Sequence, residues 1–264
     1  HRQSSAASDV YKRQDVITKY IVDWIKSYCK NHKIQSLVIG VSGGIDSALT
    51  STLCAMTNIK TIVVSIPIHQ NKKQLELATK HIKWLQKNYK NVNNLKIDIS
   101  NTFDVFKENI PIDLQSKLGL ANTRARLRMT TLYQVASSSN GIVVGTGNKV
   151  EDFCIGFFTK YGDGGVDISP IGDLLKSEVF LLSKYLNIIK EIQDAEPTDG
   201  LWDDNRNDEE QIGATYKEIE WAMKNLNNSD LSEKENLIIN IYKKHNFKNR
   251  HKMLPIPVCI IKKN

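Results

Sequence analysis

The feature that most constrains this chain is a join. The apolar run Leu37–Val41 (LVIGV) leads straight into Ser42-Gly43-Gly44-Ile45-Asp46-Ser47, and a helix-forming stretch follows over Ala48–Met56. A short, continuous apolar run suits a strand buried on both faces, as in the interior of a parallel sheet. Gly43 and Gly44 let the backbone turn sharply and approach an anion with no Cβ in the way. The helix that follows directs free N–H groups and the positive end of its dipole at the same point. Gly40, Val41, Ser42, Gly43, Gly44, Ile45, Asp46 and Ser47 therefore form a candidate phosphate-binding loop, with the Ser42 and Ser47 hydroxyls as added donors. It is not a Walker A loop, because the lysine of that motif is missing.

The same alternation continues. Apolar residues recur at helical spacing from Val16 to Tyr28. Strands are expected at Thr61–Ile66, Leu95–Ile99 and Ile142–Val144, with helices at Gln74–Tyr89 and Thr123–Ser137. Strand and helix in turn predict an α/β fold, a parallel sheet with helices on both faces. After Gly147 the strands stop. A Gly- and Asp-rich loop spans 156–175, of the length that is usually functional or mobile. Helices are expected at Leu175–Leu186, Asp208–Asn225 and Ser232–His245, giving a helical C-terminal part.

Composition narrows the class further. No apolar run approaches the ~20 residues of a membrane span. Cys29, Cys54, Cys154 and Cys259 are scattered, with neither metal-ligand nor redox spacing, which points to reduced thiols in a cytoplasmic protein. The net charge of +7 suits a polyanion, nucleotide or RNA, yet the C-terminal lysines are dispersed rather than clustered. Residues 1–14 (HRQSSAASDVYKRQ) are polar, aperiodic and similar to a translated cloning adapter; residues 15–264 are expected to form one domain.

SGGIDS resembles the signature of the N-type ATP pyrophosphatases, which include the synthetase domain of GMP synthase, tRNA-lysidine synthase, deazaguanine nitrile synthase and NAD synthetase. Further segments single out the last. Asn122–Met129 (NTRARLRM), Gly145–Glu151 (GTGNKVE), Gly156–Asp167 (GFFTKYGDGGVD), Glu196–Trp202 (EPTDGLW) and His251-Lys252 are similar to NAD synthetase motifs and stand in that family's order. The resemblance runs from about residue 15 to 257 and implies an adenine-nucleotide alpha-hydrolase-like, Rossmann-like fold. It also implies an ammonia-dependent amide ligase acting on deamido-NAD with ATP and Mg²⁺, as a homodimer, with no nucleic acid and no membrane among its partners. No segment resembles a glutamine-hydrolysing module. Two alternatives stay open at this point: another ATP pyrophosphatase such as a tRNA-modifying enzyme, and a catalytically silent nucleotide-binding module.

The resemblance assigns roles residue by residue. Asp46 and Glu151 match Mg²⁺ ligands; both would face the carboxyl edge of the sheet, where oxygen ligands suit that ion. Asp46, Glu151 and Lys176 are the candidate catalytic residues, with Lys176, Thr146 and Thr198 matching ATP contacts. Arg126, Lys160, Asp167, His251 and Lys252 match contacts to deamido-NAD. Taken alone, Glu151 would read as a solvated carboxylate at a helix start. Arg124, Arg126 and Arg128 alternate, so they cannot all share one helix face; Arg126 is taken as the ligand contact and the other two as surface or interface residues. Pro67–Gln70 departs from the family pattern and receives no role.

Overall fold

A computed structural model of the chain describes residues 2–198 and 207–261. Its centre is a four-stranded, wholly parallel sheet of β1 (Ser36–Gly40), β2 (Lys60–Ser65), β3 (Val92–Lys96) and β4 (Gly141–Val143), in the order β3-β2-β1-β4. β1 is central and its Leu37, Val38 and Ile39 are fully buried. β3 starts earlier than its apolar pattern suggests: Val92 is buried and pairs with Thr61, whereas Leu95 lies on the exposed edge.

Helices cover both faces. On one side lie α1 (Arg2–His32), α2 (Ile45–Met56), α3 (Lys72–Asn88) and α6 (Lys176–Tyr185), where Leu37 and Ile39 meet Ile25, Leu49, Leu53 and Leu182. On the other, Val38, Val64 and Val143 pack on Met129, Leu132 and Ala136 of α5 (Lys117–Ser138). Alternate residues of β1 thus feed two cores, the period-two rule of a strand covered on both faces. Each fully buried aliphatic side chain contributes about 1.5–3 kcal/mol. A short helix α4 (Ser100–Glu108), which the sequence pattern did not suggest, follows β3.

α1 begins at Arg2, well before the periodic stretch, and no Gly or Pro interrupts it. Residue 14 does not end an element: Gln14 is buried and Arg13 bonds Glu178 at 3.1 Å. The helix stops at Lys33, whose φ of 55° is left-handed, and the Ile34 N–H closes back on the Cys29 carbonyl at 2.9 Å.

The C-terminal part forms a separate core. A π-helical turn at Lys149–Ile155 packs with α8 (Asp208–Ile212), α9 (Tyr216–Asn225) and α10 (Glu233–Met253) through Val150, Ile155, Ile212, Ile219 and Ile239. A small helix α7 (Lys190–Gln193) precedes it. The single helix expected over 208–225 is two, because Gly213 at φ 83° ends α8 and Thr215 caps α9. α10 runs past His245 to Met253, so His251 and Lys252 sit in its last turn.

Candidate active site

β4 adds to the sheet beside β1, on the side away from β2 and β3. The chain therefore leaves β1 and β4 in diverging directions, and the crevice outside their carboxyl ends is the topological switch point. Three segments meet there: the loop after β1, the loop after β4 and the first turn of α6.

The loop after β1 is built for an anion. Gly43 has φ +94°, and a Cβ there would lie 2.5 Å from the Gln74 carbonyl oxygen, so only glycine fits. Gly44 is the N-cap of α2 and no side chain caps that helix, which leaves first-turn N–H groups for a bound phosphate. Ser47 Oγ accepts from the Ser42 N–H at 3.2 Å and donates to the Gly44 carbonyl at 2.9 Å, fixing the loop. Below it, Ser51 Oγ donates to the Ser47 carbonyl at 2.7 Å and contacts Nε2 of the fully buried His81 at 3.0 Å.

Asp46, Glu151 and Lys176 come together here. Lys176 Nζ donates to Asp46 Oδ2 at 2.6 Å and to Glu151 Oε1 at 2.9 Å, and it is 2% exposed. Burial opposes its charge, but Asp46 and Glu151 outweigh burial and push its pKa up, so it stays an ammonium. Burial pushes the Asp46 carboxyl up, which Lys176 counters in part. Burial also acts upward on Glu151, but Lys176, the Tyr216 hydroxyl and Asn148 together carry it below its ordinary value. A buried ion pair stands only when further hydrogen bonds satisfy it, and they are present. Asn148 Nδ2 donates to Asp46 Oδ1 at 3.0 Å while its Oδ1 caps the N–H groups of Val150 and Glu151. Tyr216 OH donates to Glu151 Oε1 at 2.5 Å and lies 3.4 Å from Asp208 Oδ2.

The carboxylates thus converge on one cation, the ammonium, and this arrangement also suits Mg²⁺. Among the described residues, no group of three or more His, Cys, Asp or Glu could hold a metal. Two carboxylates with substrate phosphates and water completing the shell is the usual Mg²⁺ arrangement.

Thr146 lies on the loop between β4 and the π turn, beside this crevice, and Thr198 in the segment after α7; Asp199–Trp202 of the same motif fall outside the described residues. The residues matched to deamido-NAD form a second group. Arg126 Nε donates to the Lys160 carbonyl at 3.2 Å, Lys160 Nζ to the His251 carbonyl at 3.1 Å, and Lys252 Nζ to the Phe158 carbonyl at 2.6 Å. Asp167 lies against β4, where it accepts from the Val143 N–H at 2.7 Å and from Tyr133 OH at 3.0 Å. Beside it a cleft of about 620 Å³ is lined by Met129, Tyr133, Tyr161 and Gly165.

Sequence reasoning missed several residues here. Arg124 and Arg128 are half-buried and have contacts within the chain: Arg128 Nε donates to the Ile66 carbonyl at 3.0 Å and the Arg124 guanidinium lies 4.6 Å from the Phe103 ring centroid. Their i, i+4 spacing places both on one face toward the end of β2, and that spacing was the readable signal. Gln70 Nε2 reaches the Ser42 carbonyl at 3.4 Å, and His69 Nε2 pairs with Asp104 at 2.8 Å. Asp152 is the other omission. Burial first, then the charges of Asp163, Glu151 and Asp46, hold its carboxyl well above the usual range.

An uncapped, glycine-rich helix start and buried charges at a switch point define a class: a nucleotide-binding α/β protein. The comparisons go further. Residues 17–255 match the family model for NAD synthase. The NH(3)-dependent NAD(+) synthetase of Mycoplasmopsis pulmonis is 35% identical over 81% of this chain and 81% of its own length. That of Methanococcoides burtonii is 38% identical over 80% and 78%. Among solved structures, NMN synthetase from Francisella tularensis superposes with a TM-score of 0.84 at 32% identity, covering 94% of this chain and 99% of that one. The NH3-dependent NAD synthetase of Campylobacter jejuni, in complex with nitrate, gives 0.76 at 30% identity and the same coverage. The chain belongs to the NAD synthase family and is a ligase of that family.

Proposed function

We propose that this protein amidates the nicotinate carboxylate of deamido-NAD with ammonia, consuming ATP and releasing AMP and pyrophosphate. The observation that carries this reading is the Asp46–Lys176–Glu151 triad beside the phosphate loop. The carboxylate oxygen attacks the α-phosphorus of ATP and the bond to pyrophosphate breaks. Ammonia then attacks the acyl carbon, loses a proton to solvent or a site base, and AMP leaves. The loop 40–47 holds the leaving phosphates by its N–H groups, and Lys176 supplies a cation to them. Asp46 and Glu151 would hold Mg²⁺, which would supply charge neutralisation where two anions must approach. Thr146 and Thr198 complete the ATP contacts, and Arg126, Lys160, Asp167, His251 and Lys252 those to deamido-NAD. Incubation with the two substrates, Mg²⁺ and ammonium tests the reading, and loss of product formation in Glu151→Gln tests the site.

One observation favours a second reading on substrate size. The Francisella neighbour is an NMN synthetase, which makes the mononucleotide acid a second candidate substrate. Nicotinate mononucleotide and deamido-NAD offered in parallel, with kcat/KM for each, decide between them.

The reading includes a two-fold homodimer in the cytoplasm. The outer face of α5, with Thr130, Tyr133 and Gln134, borders the cleft near Asp167 and supports a site completed by a second copy. A monomeric mass at micromolar concentration with full activity would remove the dimer. No helix among the described residues is long and apolar enough to cross a membrane.

A further inference from the structure

Lys176 is asked to do two things that exclude one another. A lysine ammonium has three protons and no acceptor. One goes to Asp46 Oδ2 at 2.6 Å, another to Glu151 Oε1 at 2.9 Å, and the Tyr216 ring centroid lies 4.8 Å from Nζ. The proposed function gives that ammonium a phosphate and gives those two carboxylates a divalent cation. Both cations cannot sit between the same two oxygens, because at about 4 Å a singly and a doubly charged cation repel strongly even at an effective dielectric near 20.

The surroundings allow the side chain to move while its backbone stays. Lys176 is the first residue of α6, and the start of that helix is pinned on both sides. Glu178 accepts from the Leu175 N–H at 3.0 Å, and Glu220 of α9 accepts from the Ser177 N–H at 2.9 Å and the Ser177 hydroxyl at 2.7 Å. The four-carbon stem carries the charge from that fixed point.

We propose that Lys176 is a built-in counter-cation that changes partner. In the nucleotide-free protein it neutralises Asp46 and Glu151 at the point a divalent ion would take. When nucleotide arrives with its metal, the metal takes the carboxylates and Lys176 transfers to the phosphates. Two carboxylates and one ammonium give the resting site one net negative charge; a divalent ion turns that into one net positive charge. The exchange therefore selects metal-complexed ATP over free ATP. This rests on the proposed function, in that Asp46 and Glu151 are its metal ligands.

The test is Mn²⁺ binding without turnover, measured by calorimetry and by the loss of free Mn²⁺ signal in electron paramagnetic resonance. Wild type without nucleotide should bind Mn²⁺ weakly, and wild type with a non-hydrolysable ATP analogue tightly. Lys176→Met without nucleotide should bind Mn²⁺ at least ~10-fold more tightly than wild type, since a positive charge is gone from the site. Adding Glu151→Gln to Lys176→Met should abolish the gain. If Lys176→Met binds no more tightly while the analogue arm still loads Mn²⁺, the partner exchange is overturned and the metal-dependent reading stands. If the analogue arm fails to load Mn²⁺, both fall. Should Lys176→Met not fold, wild type alone decides: Mn²⁺ binding as tight without nucleotide as with it overturns the exchange.

Discussion

His81 offers a quantitative test of how the phosphate loop is supported. It is fully buried between α2 and α3, stacked on Trp84 at 5.6 Å between ring centroids. The Ser51 hydroxyl uses its one proton on the Ser47 carbonyl, so His81 Nε2 is the donor to Ser51 Oγ and Nδ1 carries no proton. Nδ1 is buried without a partner, and protonating it would bury a charge with no acceptor. Burial accordingly pushes the imidazole pKa from 6.5 down to about 4. The sign follows from proton uptake. Between these two values the unfolded chain binds the proton and the folded chain does not, so acid favours unfolding. His81 costs nothing above pH 6.5; the loss begins as pH falls through 6.5 and is complete near 4. At 1.36 kcal/mol per unit the full loss is on the order of 3 kcal/mol. The assay is urea unfolding of wild type and His81→Gln from pH 7.5 to 4. The difference between them should shift by about that amount in favour of the variant at low pH. Parallel loss of stability in both proteins would refute the buried neutral imidazole.

Three further outcomes are expected. Gly43→Ala must place a Cβ against the Gln74 carbonyl at a left-handed φ, so it should lose about 1–3 kcal/mol of stability and most ATP affinity, read by thermal melting and calorimetry. Asp46→Asn and Glu151→Gln should each lower turnover roughly 100-fold or more, by analogy with losing one electrostatic stabiliser. Their effects should be strongly non-additive in the double variant; near-normal turnover of Glu151→Gln at limiting Mg²⁺ would remove it as a ligand. Deleting residues 1–12 keeps Arg13 and Gln14, and should leave melting temperature and activity unchanged; a loss of several degrees would show that the first turns of α1 pack.

Some of this was readable because it is local. The LVIGV run, the glycines of the loop and the covered faces of β1 depend on neighbours in sequence, and β1, β2 and β4 lie within a residue or so of their apolar runs, while β3 begins three residues earlier than its own. Asp46, Glu151 and Lys176 stand out through family motifs, not through their own pattern, and their mutual contacts are visible only in the fold. What stayed hidden depends on contacts across long separations. Tyr216, from the C-terminal core, reaches Glu151, and no local signal marks a tyrosine as a hydroxyl donor to a buried carboxylate. His81 and Asn148 support the site from behind, as a plain helical histidine and an ordinary cap in sequence. The 208–225 stretch is two helices because Gly213 serves as a left-handed stop, which apolar periodicity alone does not mark. The alternation of Arg124, Arg126 and Arg128 does not show that Arg124 and Arg128, at i, i+4 spacing, share a face.

The most direct test of the central claim is a stoichiometric assay. Purified protein is incubated with deamido-NAD, ATP, Mg²⁺ and ammonium, and NAD, AMP and pyrophosphate are quantified together. Equal amounts of all three, each requiring ammonium for sustained turnover, is the expected result. Release of ADP and phosphate instead, or no amide product from either deamido-NAD or nicotinate mononucleotide, would contradict it.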